Sequence, residues 1–436
     1  MNEKQSKVLL NQSIVLINIK DVFMDVKEFL NKSYTAYHAV KYGAEMLEKA
    51  GFKKLDMKDV WRLEKNVGYY VIENGTSLFA FKAGENHVFN VVESHTDSPS
   101  LKVKGNKLID SAEGKRLNVE KYGGLLLYSF LDAPLKVAGR IAYSDGDEVK
   151  TEVVESKYNV VIPSLAIHHN PDANTKLALS VQKDMLPLLG DAKDVYSTLT
   201  DKDVIDADLF VVPATSAFSG GVGAEFLCAP RLDNLLSVYS SLNAIINSTP
   251  KDIAVCCCFD NEEVGSETKQ GAASNILSTL LRKINRAFMK NDDDFTFATE
   301  NGVLLSSDNA HAVHPSFPEK SDVTEKVYLN KGVVIKHHVN YSTDALSSAV
   351  VKTLLKDENI EAQDYYNNSD VRCGSTIGLV TSADLNMNAC DVGIAQLAMH
   401  SGVETAGASD VEKMQKFMTA FMNAAFSKTE NGVKIN

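Results

Sequence analysis

The spacing of hydrophobic residues changes between two periods in the first hundred positions. Residues 34–50 repeat hydrophobic side chains every three to four positions, which predicts a helix. Two extended runs at 68–73 and 77–82 flank Asn74-Gly75, a dipeptide typical of tight hairpin turns. The hydrophobic run at 88–92 then predicts a strand that is covered on both faces.

The middle of the chain has a different pattern, with short extended runs separated by turns. Runs at 125–130, 136–143 and 149–154 predict strands, and the last two flank Asp145-Gly146 with the alternation of a half-buried hairpin. No fixed-period repeat or low-complexity tract appears. Residues 99–229 are therefore predicted to form an inserted, antiparallel β-rich domain.

Helical and extended patterns alternate again after residue 230. Helices are predicted at 234–247, 274–288, 345–356 and 411–426, and strands at 253–259, 302–305, 332–335 and 391–394. Such alternation predicts a mostly parallel sheet with helices on both faces. The expected fold class is thus α/β, with residues 1–98 and 230–436 forming one catalytic domain around the insertion.

Composition and charge exclude several classes of function. Among 436 residues, 45 Lys and Arg face 57 Asp and Glu, a net charge of −12, which argues against binding nucleic acids or anionic membranes nonspecifically. No hydrophobic run is long enough to span a bilayer, and residues 1–20 lack the pattern of a secretory signal. The chain is expected to be cytoplasmic.

The cysteines are predicted to be reduced thiols without a metal-binding role. Three of the six, Cys256, Cys257 and Cys258, are adjacent within a hydrophobic run and resemble small buried residues. No pair has the spacing of a thiolate zinc site.

Polar residues with possible chemistry follow several of the predicted strands. His95 and Asp97 follow the run at 88–92, and a carboxylate at that spacing can orient a metal-binding imidazole. Asp233 opens a predicted helix, where capping the helix would by itself explain an aspartate. Asp308 and His400 also come after predicted strands, where a lone histidine is more often a loop residue than a ligand.

Two adjacent carboxylates, Glu262 and Glu263, follow the hydrophobic strand at 253–259. Carboxylates at the end of a buried strand are costly unless a cation or hydrogen-bond donors compensate them. Because adjacent side chains point apart, one can bind a metal while the other faces a water molecule as general base. A solvated acidic loop is the plainer alternative.

Five of these residues, considered together, predict a dinuclear metal centre. His95, Asp233, Glu263, Asp308 and His400 all belong to one α/β domain, where ligands bind beyond the carboxyl ends of the strands. Two imidazoles and three carboxylates suit two Zn²⁺, Mn²⁺ or Co²⁺ ions that share one carboxylate and activate water for hydrolysis.

The motifs around these residues resemble those of the aspartyl aminopeptidases, a family of dinuclear-zinc exopeptidases. The matching segments are 94–99 (SHTDSP), 230–235 (PRLDNL), 260–266 (DNEEVGS), 307–315 (SDNAHAVHP), 373–378 (CGSTIG) and 397–401 (LAMHS). The resemblance runs from about Ser33 to the C-terminus. Six ordered motifs in one chain are a specific signal.

The resemblance implies a role for each metal-site residue. His95 and Asp308 would hold one ion, Glu263 and His400 the other, and Asp233 would bridge both. Asp97 would orient His95. Glu262 would be the general base that activates a metal-bridging water.

The resemblance also implies contacts with substrate and with other subunits. His311 and Lys336 would lie near the substrate, short peptides with a free N-terminus. His168, in the inserted domain, would reach the active site of a neighbouring subunit. The family forms homodimers through this domain, and these build a hollow homododecamer.

Departures from the family leave the specificity open. Where the family usually has arginine, this chain has Ala133, Asn340, Asn368 and Val403. An acidic substrate side chain needs cationic partners, best supplied by arginine. The resemblance implies an aminopeptidase that prefers N-terminal Asp or Glu. The missing arginines leave open a dinuclear hydrolase of other specificity, which could be a broad aminopeptidase, a carboxypeptidase or an amide deacylase. An inactive scaffold is the third alternative.

Overall fold

A nine-stranded mixed sheet forms the centre of the fold in the computed structural model, which describes residues 25–436. Across the sheet the order is β1 (Lys53–Lys54), β2 (Gly68–Glu73), β3 (Ser77–Ala83), β13 (Ile253–Phe259), β4 (Phe89–His95), β14 (Val303–Ser307), β18 (Asn388–Gly393), β16 (Val333–His337) and β17 (Ala362–Tyr366). The four central strands, β13, β4, β14 and β18, are parallel neighbours. The predicted hairpin β2–β3 is antiparallel, and so is the pairing of β16 with β18.

Helices cover both faces of this sheet. They are α1 (Val26–Lys32), α2 (Ala36–Lys49), α4 (Leu232–Asn247), α5 (Ile276–Ala287), α6 (Asp292–Glu300), α7 (Ala345–Asp357), α8 (Gly378–Leu385) and α9 (Ala408–Asn423), whereas the short α3 (Val181–Asp184) packs against the second sheet, described next. Cys256 and Cys258 pack into the cluster that contains α4 and α9, whereas Cys257 packs into the opposite cluster with α5 and α6. Burial on both faces explains why β13 is hydrophobic at every position.

A second sheet has six antiparallel strands. In the sequence, these strands come after β4 and before β13 of the central sheet. Its order is β8 (Glu148–Glu155), β7 (Leu135–Asp145), β10 (Val204–Pro213), β5 (Ser100–Ser111), β6 (Gly114–Tyr122) and β9 (Leu188–Gly190). It has a hydrophobic cluster of its own. The hairpin predicted around Asp145-Gly146 is present, with Asp145 opposite Glu148.

The strand predicted at 125–130 is wrong, because Leu127–Phe130 forms a 3₁₀ turn. Phe130 is buried in the core of the antiparallel sheet, which accounts for the hydrophobic run. The backbone here turns away to meet the metal-site region, where the Leu126 N–H donates to the carbonyl of His400 at 3.0 Å. Hydrophobic residues without alternation thus marked a turn that buries Leu125 and Phe130.

A third sheet joins residues that precede α4 to residues near the C-terminus. Its order is β11 (Phe218–Gly220), β12 (Phe226–Ala229), β20 (Glu404–Gly407), β19 (Ala395–Leu397) and β15 (Ala310–His311). The chain ends in a hairpin, β21 (Phe426–Thr429) and β22 (Gly432–Ile435), which the hydrophobic pattern did not predict. The domain boundaries proposed at 98/99 and 229/230 stay predictions.

Within residues 25–436, none of the helices combines the length and the apolar character that crossing a bilayer requires. The expectation for residues 1–20 concerns a segment outside the described residues.

Candidate metal centre

The five predicted ligand residues lie together at the carboxyl ends of the central strands. His95 is the last residue of β4, and Asp308 directly follows β14. Glu263 lies in the 3₁₀ turn Glu262–Val264 after β13. Asp233 is in the first turn of α4, and His400 follows β19. Parallel strands that end at one edge bring side chains together from residues 95 to 400.

The two histidines converge on opposite oxygens of one carboxylate, that of Asp233. His95 Nε2 lies 3.5 Å from Asp233 Oδ1 and 3.7 Å from Asp308 Oδ1. His400 Nε2 lies 3.2 Å from Asp233 Oδ2 and 3.3 Å from Glu263 Oε1. Asp233 therefore lies between two separate groups of ligand atoms, one on each side.

These residues fit two metal ions. Ligand atoms about 2.0–2.1 Å from a tetrahedral Zn²⁺ lie roughly 3.3 Å from one another, close to the spacings observed here. The ligand atoms of His95, Asp233 and Glu263 all lie within 4.8 Å of one another. Asp233 Oδ1 and Glu263 Oε1 are buried and accept no hydrogen bond from the described part of the chain, which is costly for a carboxylate oxygen unless a cation compensates it. A shared carboxylate between two imidazoles is the donor set that a dinuclear site requires.

The unbound imidazole nitrogens are fixed by acceptors in the protein. His95 Nδ1 lies 3.1 Å from the carbonyl oxygen of Asp97 and 3.3 Å from its Oδ1 atom. His400 Nδ1 lies 3.1 Å from the carbonyl oxygen of Gly124 in the loop after β6. With Nδ1–H donated to oxygen, each Nε2 is left as the free ligand atom.

Asp97 is itself held by three donors. Its Oδ1 accepts the Glu262 N–H at 3.1 Å, and its Oδ2 accepts the Glu263 N–H at 3.1 Å and the Tyr122 hydroxyl at 2.8 Å. Asp97 therefore ties the strand end that carries His95 to the turn that carries the two glutamates. Tyr122 brings the antiparallel sheet into the same network.

Glu404 fixes the backbone of two proposed ligands. Its Oε2 accepts the Asp233 N–H at 2.9 Å, and its Oε1 accepts the His400 N–H at 2.6 Å. Burial raises the pKa of Glu404 to about 8, and the neighbouring Asp233 carboxylate adds to the rise. Sequence reasoning gave Glu404 no role, because a single glutamate near the chain's end has no local signal.

Two consecutive glycines in the loop after β6 approach the proposed ligands closely. Gly123 has φ +72°, and a Cβ atom there would lie 3.1 Å from Glu263 Cβ. A Cβ atom at Gly124 would lie 3.5 Å from His400 Nδ1. The left-handed backbone and the close approach both favour glycine at position 123.

Charges in the centre perturb one another strongly. Burial alone would lower the pKa of His400, but the adjacent carboxylates of Asp233 and Glu263 outweigh it and raise the pKa to about 12. Burial also opposes the charged forms of His95 and Asp233, but their oppositely charged neighbours outweigh it, so the pKa of His95 is raised and the pKa of Asp233 is lowered. Burial raises the pKa of Glu263 to about 7. Carboxylates so crowded are compensated best by cations.

Glu262 lines the cleft beside the metal-site residues, and within residues 25–436 no histidine nitrogen lies within 4.0 Å of its carboxylate. Burial raises the pKa of its carboxyl to about 8, and Asp308 and Glu263 repel its negative charge. A carboxylate whose pKa lies near neutrality is matched to proton transfer at that pH. A bound cation would favour the ionised form.

The three predicted substrate contacts lie in different places. His311 and Lys336 line the same cleft as the metal-site residues. The buried Lys336 amino group lies 3.2 Å from Asp308 Oδ2 and donates to the Asn309 carbonyl at 3.1 Å. His168 is exposed in the segment after β8 and does not line this cleft, so its predicted contact with a neighbouring subunit stays a prediction.

Sequence comparison places these residues in a known family. Residues 29–202 and 192–422 match the model of the aminopeptidase I zinc metalloproteases (M18). The chain is 37% identical over 424 residues to a probable M18 family aminopeptidase 2 of Clostridium novyi. The alignment covers 92% of this chain and 98% of the relative.

Solved structures agree with that match. The cryo-EM structure of the Ape4 and Nbr1 complex is similar with a TM-score of 0.86 at 30% identity, covering 91% of this chain and 84% of the solved one. The S. cerevisiae mApe1 dodecamer is similar with a TM-score of 0.79 at 29% identity, covering 91% and 95%.

Proposed function

Because the chain belongs to the M18 family of zinc metallo-aminopeptidases, we propose that it removes the N-terminal residue from short, unblocked peptides at the centre formed by His95, Asp233 and His400. The observation that carries this proposal is the convergence of two imidazole Nε2 atoms on opposite oxygens of Asp233. This arrangement is the one expected of a carboxylate that bridges two ions.

The donor set suggests how two ions would be held. His95 and Asp308 would bind one, Glu263 and His400 the other, and Asp233 both, with zinc favoured by the family and by the mixed nitrogen and oxygen ligands. When bound, the ions would polarise the scissile carbonyl and lower the pKa of water. Asp97 and Glu404 would keep the ligands in place through the hydrogen bonds that they accept.

Glu262 would move the proton. Its carboxylate would take a proton from the attacking water and return it to the nitrogen of the leaving amine, so that one residue serves as base and then as acid. The location of Glu262 on the cleft wall next to Glu263, and its pKa raised to about 8, support this role.

Lys336 supports a preference for acidic N-terminal residues. Among residues 25–436, Lys336 is the only lysine or arginine that lines the cleft. Its buried ammonium group would attract the carboxylate of an acidic substrate side chain. Broad aminopeptidase specificity is the second candidate, because Lys336 already contacts Asp308 and no arginine lines the described cleft. His311 would contact the substrate from the opposite strand pair, β15 and β19.

The assembly and compartment are further parts of the proposal. The mApe1 relative is a dodecamer, and a homodimer that builds a homododecamer is proposed for this chain, with residues 99–229 as the dimerisation or lid domain. Leu165 and Ile167, two exposed hydrophobic residues close to His168 in the sequence, suit burial against another subunit. Six free cysteines support a reducing, cytoplasmic setting.

The test is turnover of a panel of aminoacyl-nitroanilides (Asp, Glu, Leu, Lys) and of N-acetylated peptides, before and after exhaustive chelation. The proposal expects hydrolysis of free-amine substrates, loss on chelation and recovery with Zn²⁺. Higher kcat/KM for Asp and Glu would support acidic specificity, and equal values would support the broad aminopeptidase. Hydrolysis of acetylated substrates alone would contradict the aminopeptidase and favour a deacylase.

A further inference from the structure

We propose that Asp391 is a positioning residue that fixes two loops as one wall of the substrate cleft and thereby sets peptide affinity. Asp391 lies in β18, is 0% exposed, and does not line the cleft. The two loops are residues 338–344, between β16 and α7, and residues 367–377, between β17 and α8. The inference rests on the proposed peptidase function.

Each loop supplies donors to a different oxygen of Asp391. Ser342 donates both its backbone N–H and its hydroxyl to Oδ2, each at 2.6 Å. Thr376 donates its hydroxyl to Oδ1 in a short hydrogen bond. The Asp391 N–H donates in turn to the Thr343 hydroxyl at 2.8 Å. One carboxylate thus joins two loops that are distant in sequence.

The loops also contact each other above this carboxylate. The Tyr341 hydroxyl and the Cys373 thiol lie 3.2 Å apart. A Cβ atom at Gly378, where α8 begins, would lie 2.9 Å from the Ser342 hydroxyl and 2.6 Å from Ser306 Cβ. The close packing restricts how the two loops can move relative to each other.

The residues next to these anchors line the cleft. Tyr341 precedes Ser342, and Gly374 and Ser375 precede Thr376, and all three line the same cleft as the metal-site residues. The Lys336 amino group lies 5.0 Å from the centroid of the Tyr341 ring. Displacing either loop would therefore move surfaces that a peptide must contact.

Energetics favour the docked loops because of the buried charge. Within residues 25–436, no lysine, arginine or histidine nitrogen lies within 4.0 Å of the Asp391 carboxylate, so the loop donors are what compensate it. Undocking a loop would leave a carboxylate in the core without those donors, which costs more than losing an ordinary surface hydrogen bond. Asp391 can therefore hold the loops without touching ligand or substrate.

The decisive variant is Thr376→Val, which removes one donor to Asp391 and keeps the size of the side chain. Its matched control is Thr299→Val, another buried threonine, whose hydroxyl bonds to backbone carbonyls inside α6. We expect Thr376→Val to raise KM at least roughly fivefold while kcat and metal content stay near wild type, because the lost contacts affect binding alike in ground and transition states. Backbone amides of 338–344 and 367–377 should exchange faster, and those of 94–99 should not.

A second variant separates the charge of Asp391 from its hydrogen bonds. Asp391→Asn keeps an acceptor for Ser342 and can donate to the Thr376 hydroxyl, so its KM should lie between those of wild type and Asp391→Ala. If Asp391→Ala does not fold, Thr376→Val still decides the question.

Two outcomes would overturn the inference, and a third would separate it from the proposed function. If Thr376→Val matches Thr299→Val in both KM and amide exchange, Asp391 does not position the loops. If kcat and metal content fall while KM is unchanged, the residue acts through the metal centre and the inference is wrong. If the wild type hydrolyses no peptide, the proposed function fails, and amide exchange alone decides whether Asp391 fixes the loops.

Discussion

The Oδ1 atom of Asp97 accepts the backbone N–H of Glu262 at 3.1 Å, so the residue that faces His95 also anchors the proposed general base. The same imidazole lies 3.3 Å from that oxygen. The proposed metal ligand and the proposed general base thus share one carboxylate as a partner. Changes at Glu262 and at Asp97 should therefore differ in a defined way: the first should affect proton transfer alone, and the second should affect both functions.

Glu262→Gln should abolish most activity and leave metal binding intact. The amide cannot accept the proton, and general-base catalysis typically contributes about 10²–10⁴-fold to rate. Steady-state kinetics on an aminoacyl-nitroanilide, with metal content measured in parallel, checks this. Glu267→Gln, an exposed glutamate five residues along, is the control and should retain full activity. A wild-type kcat in Glu262→Gln would remove this residue from its role.

Asp97→Ala should weaken metal binding as well as activity. It leaves the N–H groups of Glu262 and Glu263 and the Tyr122 hydroxyl without their acceptor. Loss of such a partner typically lowers metal affinity about 10–100-fold. Competition with a chelator of known affinity measures the change.

Tyr122→Phe is the graded comparison, because it removes one donor and leaves the Asp97 carboxylate in place. Its metal affinity should lie between those of wild type and Asp97→Ala. Equal affinity in wild type and Asp97→Ala would show that His95 needs no partner to bind metal.

Removing the metal should lower the melting temperature. Three carboxylates and two imidazoles crowd together, and ions that bind only the folded chain stabilise it by about 4 kcal/mol at roughly 1,000 times their dissociation constant. Scanning calorimetry with and without chelator measures this, and added Zn²⁺ should restore the wild-type transition. An unchanged transition after verified metal removal would contradict the proposed ligand set.

Lys336→Met should reduce any preference for acidic N-terminal residues. Losing a charged hydrogen bond should lower kcat/KM for Asp relative to Leu substrates roughly 10–100-fold. Lys336 also contacts Asp308, so the substitution could weaken the metal site. Such damage would lower kcat/KM for Asp and Leu substrates alike and would leave their ratio unchanged. Lys320→Met, exposed in the neighbouring groove, is the control. An unchanged ratio would support broad specificity.

The sequence was most informative where one physical constraint acts on a whole segment. Strand β13 could be predicted to the residue because burial on both faces requires hydrophobic side chains throughout Ile253–Phe259. The hairpin β2–β3 could be predicted because Asn74 and Gly75 both have positive φ, 52° and 74°. In each case, local chemistry and tertiary environment agree.

Prediction failed where the determining contact comes from far along the chain. The run at 125–130 was misassigned because its hydrophobicity reflects burial of Phe130, whereas its backbone is turned by a hydrogen bond to His400. Glu404 and Asp391 act through backbone and hydroxyl groups that no spacing rule connects to them. The contacts of Glu404 and Asp391 exist only in the folded chain, and the spacing of motifs in the sequence does not predict them.

The central claim is that His95, Asp233, Glu263, Asp308 and His400 hold two ions. Anomalous diffraction from zinc-loaded crystals, recorded on both sides of the zinc edge, tests it directly. Two peaks are expected, one beside His95 and Asp308 and one beside Glu263 and His400, with Asp233 between them. No peak at this edge of the sheet, or peaks bound by other residues, would contradict it.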